Sequence, residues 1–397
     1  MCNFLELDEY AIEKIFDYLS EVDLIKVSMV NSYLETLVNQ YLKQTISKKL
    51  LVCTKDRSPN NFTSIQLLKI HRNILQGRYY EHICFRHKPL YFSHIQVSKN
   101  ELIKSVAFEI RCYKRKSNGL PEDRPYVSIH NREEQTEITH FVRKDNTLFA
   151  GLSNGSSLTY NFDDKSTVID RCFGPGSSEF INNVDFKRDL FCVAGKSKTV
   201  IMRLEHELDL QALEQQYLFN QGFQCVRFHL TDSSKLAAGK YHDRQKRALC
   251  LIDVETGMLE ELDSITAAVY NMTWKDENIV LTANFDSTLR LTDIRSKRDV
   301  MMFQDIYDSS IYCLDYDGRY GVVCGMKHFR VNLYDLRMPR QFIQMYFPKH
   351  TNFNRSPVYS ISCDNSKIFI QTDTNLRILD FNCDHAKSRD FSNMNIY

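Results

Sequence analysis

The sequence predicts a mainly β fold, a closed ring of seven repeated units, behind a small all-α module. Three observations carry this. Helical periodicity is confined to about the first 80 residues. From about residue 84 onward, short segments rich in Val, Ile, Tyr, Phe and Thr alternate with polar turns. A strand-ending slot then recurs: Asp253 (CLIDVE), Asp293 (LRLTDIR), Asp335 (VNLYDLR) and Asp380 (LRILDF) lie 40, 42 and 45 residues apart. Backward, the slot falls at Arg203, Asn161 and near Cys112, in steps of 50, 42 and 49. A second strand precedes the slots (NTLFAGL, DLFCVAG, NIVLTAN, YGVVCGM, KIFIQTD), and a third precedes those (VYNMTW, IYCLDY, VYSISC). Seven units of about 45 residues, read as four-stranded, form a seven-bladed β-propeller.

The elements follow in order. Residues 1–45 form a helical module. Ile12, Ile15, Phe16 and Leu19 make one apolar stripe at helical spacing. Asp23 stands before Leu24 and Val27 as an expected N-cap, and Ser32 with Glu35 reads as a capping box. That box opens a third run: Leu34, Leu37, Val38, Tyr41 and Leu42. Residues 46–83 read as a linker, a loop (TKDRSPNNFTS) followed by a helix over 64–77 that ends near Gly77. Residues 84–397 are the propeller. Its last blade needs a fourth strand from a terminus, either residues 81–86 (EHICFR) or the tail after Cys383.

Composition excludes several classes. Hydrophobic residues are 43% and charged residues 25%, which excludes wholesale disorder. Fifty-one basic against 50 acidic side chains leave a net charge of +1, the balance of neither a polyanion binder nor a strongly steered partner. No apolar run is long enough to span a membrane. The start MCNFLELDEY has acids where a secretory signal needs bases, so an intracellular chain is expected, cytoplasmic or nuclear. The 12 cysteines are scattered without a CxxC and read as reduced, buried small hydrophobes. Thirteen glycines are few for a repeat of this kind, so the repeats are degenerate.

By period and strand pattern the array resembles WD40 repeats, although Thr292 and Tyr334 stand where the hallmark tryptophan would, and the one tryptophan, Trp274, lies on an inner strand. With such an array behind it, the head LELDEYAIEKIFDYLSEVDLIKVSMVNSYLETL resembles an F-box. The matching positions are Leu7, Ile12, Ile15, Phe16, Tyr18, Leu19, Asp23, Leu24, Ser28, Val30 and Leu37. Asp8 replaces the family's proline and Leu34 its tryptophan. The chain is thus similar to F-box/WD-repeat proteins. Residues 309–318, 331–337, 356–361 and 376–381 look most like the dactylin branch. The resemblance implies a non-catalytic substrate receptor of a Skp1–cullin–F-box ubiquitin ligase, without a cofactor. Its F-box would dock on Skp1 through Leu7, Ile12, Ile15, Phe16, Leu19, Asp23, Leu24 and Val30, its linker helix would act as a stiff spacer, and its propeller would bind the target protein.

The repeat register aligns positions around one rim. The second residue of each inner strand is Thr139, Asn182, Gln224, Tyr270, Tyr312 and Tyr359, and the turn before the third strand offers Ser153, Ser197, Tyr241, Phe285, Lys327 and Asp373. No arginine occupies either ring, and phosphopeptide capture relies on guanidinium pairs. Tyr270, Tyr312, Tyr359 and Phe285, with Lys327 beside them, suit an apolar or aromatic anchor of a protein target. Ordinary strand packing is the alternative reading.

Other chemistry is weaker. His82, Cys84 and His87 are one ligand short of a structural zinc site. No phosphate-binding loop or hydrolase motif occurs. GPGSS (174–178) reads as a turn, and Asp163-Asp164 and Glu133-Glu134 as solvated loops. Lys114-Arg115-Lys116 and the run 244–247 read as exposed hairpin tips, so nucleic acid and membrane are not expected partners. Two alternatives to the ligase reading stand: a scaffold whose head packs on its own propeller, and a receptor for the cullin-4 adaptor DDB1 through the Asp-x-Arg endings Asp293-Ile-Arg295 and Asp335-Leu-Arg337.

Overall fold

In the computed structural model, residues 7–45, 49–88, 90, 93–130, 136–174, 177–204, 213–338, 341–348 and 356–388 are described. Cys2, Glu133-Glu134 and residues 175–176 lie outside them. Seven antiparallel sheets form a seven-bladed β-propeller behind four helices. Blades 1 to 6 span residues 95–130, 138–171, 181–219, 225–261, 265–304 and 311–346. Blade 7 takes three strands from 360–380, and its outermost strand is Tyr80–Cys84, paired antiparallel with Leu376–Asp380. The ring is therefore closed by the N-terminal candidate, and the propeller begins at residue 80 rather than 84. All seven sequence slots fall on or beside third strands, such as Thr288–Asp293 and Val331–Asp335.

The low glycine count is spent where blades touch. A Cβ on Gly151 of blade 2 would lie 2.4 Å from Ile181 Cγ2 of blade 3, and one on Gly325 of blade 6 would lie 2.6 Å from Val358 Cγ1 of the next. Both approaches are too close for any side chain. The inner strands also share a register shift. Thr139, Asn182, Tyr270 and Tyr312 are each the extra residue of a bulge. A bulge re-aims its side chain out of the ladder, and this separates these four residues from their paired neighbours.

The helices are α1 (Glu9–Phe16), α2 (Glu21–Ser28), α3 (Ser32–Thr45) and α4 (Ser64–Leu75). Their caps differ from the expected ones. Ser20, not Asp23, caps α2: its Oγ accepts from Asp23 N–H at 3.2 Å and donates to Asp23 Oδ2 at 2.6 Å. Asn31, not Ser32, caps α3, with Oδ1 accepting from Leu34 N–H at 2.8 Å. In both cases the helix starts one turn or one residue before the position the apolar pattern marks, because the cap must be extended while its carbonyl already accepts the first helical bond. Thr63 and Gln66 form the reciprocal capping box of α4.

The linker helix is not a free spacer. Ile65, Leu68, Ile70 and Ile74 of α4 belong to a single apolar core with Ile12 and Phe16 of α1 and with Val323, Leu333 and Tyr346 of blade 6 and Ile370 and Phe381 of blade 7. Tyr346 donates its hydroxyl to Ile74 O at 2.8 Å, and Asn73 Nδ2 donates to the Phe381 and Cys383 carbonyls at 2.9 and 2.8 Å. A 12-residue helix is marginal alone; the blades supply the packing that holds it.

Candidate interaction surfaces

The linker loop behind the head docks on one rim. In blade 6 the inner strand Ile311–Tyr316 carries Tyr312 near its start and Asp315 near its end, about 10 Å away at strand rise. The contacts of the linker loop, residues 49–57, lie at the ending rim. Asp315, buried, accepts from Arg57 and from Lys55 (3.3 Å). Thr54 N–H donates to Asp317 O at 2.8 Å. Arg337, just past the third strand of blade 6, donates to Lys49 O at 3.0 Å and lies over the Tyr320 ring. Burial opposes the Asp315 charge, but the Arg57 and Lys55 cations outweigh it and hold its carboxyl at about 2.

The expected Skp1-docking residues divide into two groups. Ile12, Phe16 and Leu24 are buried in the core shared with the propeller, and Leu7 and Leu19 pack partly against it. Phe16 meets Tyr41 edge-on at 5.4 Å. These residues face inward, because α3 and α4 pack on the face that the helical spacing marks as apolar and join it to the core of blades 6 and 7. Outward stand Ile15 (37% exposed) and Val30 (70%), with half-buried Asp23 between them in sequence. Tyr10, Tyr18, Val22, Met29 and Tyr33 are exposed as well. Sequence reading missed most of this outward set; its signal was the apolar residues left off the stripe.

The starting rim carries the aromatic cluster. Tyr270 and Tyr312 stack at 5.2 Å with 14° between planes, and Phe285 meets Tyr270 edge-on at 5.7 Å. Burial, then the neighbouring Tyr312 and Tyr241, push the Tyr270 hydroxyl up to about 12. Half-buried Tyr359 immediately precedes the inner strand of blade 7 at this rim, and Lys327 is exposed on a turn of blade 6. An added strand, Tyr241–Arg247, rises between the second and third strands of blade 4 and pairs with the extended start of the blade 5 inner strand. It is not a simple hairpin tip; the 50-residue step from Arg203 to Asp253 was its signal. Its Tyr241 is exposed.

Two basic features change meaning. Arg115 is fully buried against Asp364, not an exposed tip. The Asp-x-Arg endings are local pairs, Arg295 with Asp293 at 2.8 Å and Arg337 with Asp335 at 2.7 Å, and Arg337 is further engaged by the head. Of the described cysteines, all are free and all but Cys84 are buried.

The head dock also predicts a pH response. Buried His71 accepts from Leu51 N–H through Nδ1 at 3.0 Å. Burial, then Arg337, hold its imidazole near 4, against an ordinary 6.5. Between those values the unfolded chain binds the proton and the folded chain does not, so this contribution is complete above pH 6.5 and is lost as pH falls towards 4. Asp317, whose carboxyl burial pushes up to about 6, acts in the opposite direction over part of that window. His71→Asn keeps an acceptor for Leu51 and cannot protonate. Denaturation at pH 7.5 and 4.5 should show wild type losing about 2 kcal/mol more than His71→Asn. Equal losses would mean that His71 already titrates normally in the fold.

Known proteins offer partial parallels. No family model matches the chain. Over 118 residues it is 27% identical to F-box/WD repeat-containing protein 4 of Homo sapiens, and equally to that of Mus musculus. The match covers 29% of this chain and 28% of each relative, so the chain spans well under a third of the relatives' length. The solved structure of the computationally designed Ika8 protein shares the fold alone, with a TM-score of 0.55 at 14% identity over 75% of this chain and 98% of that one. The chain is thus a seven-bladed propeller with four N-terminal helices and a distant, partial similarity to F-box/WD repeat-containing protein 4, dactylin.

Proposed function

We propose that this protein is a substrate receptor of a Skp1–cullin–F-box ubiquitin ligase, supplying binding geometry and no bond chemistry. The observation that carries the reading is the two-rim arrangement. The linker loop that follows the head is clamped to the ending rim, the head turns apolar side chains outward, and the aromatic cluster lies on the starting rim. A ligase needs its adaptor and its target held apart at a roughly fixed distance, which a docked head serves better than a flexible tether. The partial similarity to F-box/WD repeat-containing protein 4 supports the same reading. In it, Ile15 and Val30 contact Skp1, with Asp23 at the edge, and buried Ile12, Phe16 and Leu24 with partly buried Leu7 and Leu19 position them. The target protein sits on Tyr270, Tyr312 and Phe285, flanked by Tyr359 and Lys327.

The test is co-purification with Skp1. An Ile15→Asp/Val30→Asp variant leaves the shared core intact and should lose the complex at least tenfold while keeping wild-type Tm. A Phe16 substitution would confuse docking with unfolding. Tyr270→Ala/Tyr312→Ala should keep Skp1 and lose the target. One observation favours a second reading, a scaffold without a ligase link: the apolar stripe of α1 and α2 is already buried in one core that runs into the propeller. Wild-type chain that purifies alone beside excess Skp1 would establish that reading instead.

A further inference from the structure

The central channel carries charge that the chain itself does not neutralise. Its lining includes five cations, Lys55, Arg57, Arg143, Lys144 and Arg227, against two carboxylates, Asp185 and Asp315. Lys144 pairs with Asp185 at 2.7 Å, Arg143 turns to Glu101, and Lys55 and Arg57 share Asp315. Among the described residues no carboxylate reaches within 4 Å of Arg227. Its Nη1 donates to Asn183 Oδ1 at 2.9 Å and to Val226 O at 2.8 Å, and Nη2 approaches His140 Nε2 at 3.5 Å. Every one of these partners is neutral.

The histidines beside it stay uncharged. The His94 and His140 rings lie 4.3 Å apart, and His94 Nδ1 meets Ser360 Oγ at 3.0 Å. Val184 N–H points at His140 Nδ1 from 3.4 Å, so donors face both its ring nitrogens, and an imidazolium would have nothing to give its protons to. The belt Ser360–His94–His140–Arg227–Asn183 therefore links blades 7, 1, 2, 4 and 3 around one unneutralised guanidinium. A guanidinium half withdrawn from water and bonded to neutral acceptors alone is a poor resting state. Its planar fork matches an oxyanion.

We propose that the central channel binds a compact oxyanion of the phosphate class on Arg227, with the Lys55–Arg57 end of the channel supplying the second excess charge. The cavity, of about 310 Å³, has room for inorganic phosphate or pyrophosphate with its water. This site is separate from the rim cluster and independent of the ligase reading.

The probe is sodium pyrophosphate, titrated into the full chain at pH 7.5 by calorimetry and by phosphorus NMR, with sodium chloride and sodium sulfate at matched ionic strength beside it. Saturable binding with a rise in Tm, absent with chloride, is expected. Arg227→Gln should weaken it at least tenfold, and Lys297→Gln, an exposed pair far along blade 5, should not. If Arg227→Gln does not fold, Arg227→Lys keeps the charge and loses the fork, and about tenfold weaker binding is expected of it. No saturable binding by wild type, an equal effect of all salts, or unchanged affinity in the Arg227 variants would each overturn the proposal.

Discussion

Asp364→Ala should destabilise the protein by about 3–5 kcal/mol. Arg115 and Asp364 are both withdrawn from water, with side-chain exposures of 0% and 1%. Arg115 follows the third strand of blade 1 and Asp364 follows the inner strand of blade 7. The guanidinium also donates to Gly119 O at 2.9 Å, to Ser98 O at 2.8 Å and to the carbonyl of Arg57, and it lies over the Phe369 ring. Asp364 Oδ1 in turn accepts from the Ser366 and Lys367 amides at 2.8 and 2.7 Å. One pair thus joins the first blade, the last blade and the segment that carries the head. Removing the carboxylate strands a buried cation, whose desolvation is then unopposed. Arg115→Met/Asp364→Ala removes both charges and should recover part of the loss, because a buried pair contributes less than its broken half costs. Urea denaturation measures both variants. A loss below about 1 kcal/mol for Asp364→Ala would mean that water reaches the pair.

Glu81→Ala should cost about 3 kcal/mol, and its consequence is directional. Glu81 lies on the strand that closes the ring, and its Oε1 accepts from Arg377 Nη1 at 2.6 Å, with both side chains under 10% exposed. Among the described residues, the other side-chain partner of Arg377 is Asn375 Oδ1, at 2.9 Å. Without Glu81 the cation has reason to turn towards water, and the strand Tyr80–Cys84 loses its side-chain lock on Leu376–Asp380. A propeller blade stripped of its outer strand exposes an unpaired edge. Hydrogen exchange should therefore accelerate at 376–380 more than at the third strands of blades 2 to 6. Glu260→Ala, which removes an exposed partner of Lys297, should change stability by less than about 0.5 kcal/mol. Uniform acceleration in all blades would show that Glu81 acts on global stability and not on closure.

Much of the fold was legible because strands announce themselves locally. The 40–50-residue step, the Val- and Ile-rich segments and the Asp-bearing turns needed no partner to be seen, and the slots from Cys112 to Asp380 all lie at third strands. The stretch 81–86 was visible as a closing strand because its residue types suit a strand and a ring needs one. The candidate rim was legible for the same reason: a register that repeats lines up Tyr270, Tyr312 and Phe285 before any contact is known.

What remained hidden depends on partners far away in sequence. Periodicity marks the apolar face of α1 but not what covers it, so Ile12 and Phe16 look identical whether they await another protein or are buried in a core continuous with blades 6 and 7. Arg115 sits in a basic triplet, and only folding brings Asp364, 249 residues on, against it. The channel belt draws one residue from each of five blades, and no local pattern links His94 to Arg227. The sequence by itself determined the seven-unit propeller, the helical head and the composition of the rim, because each follows from short-range spacing and residue type. Only the tertiary structure decided which head residues face outward, where the head docks and which charges are left unneutralised. Burial and electrostatic pairing are properties of neighbours in space, and ring closure makes neighbours of residues that the chain holds hundreds of positions apart.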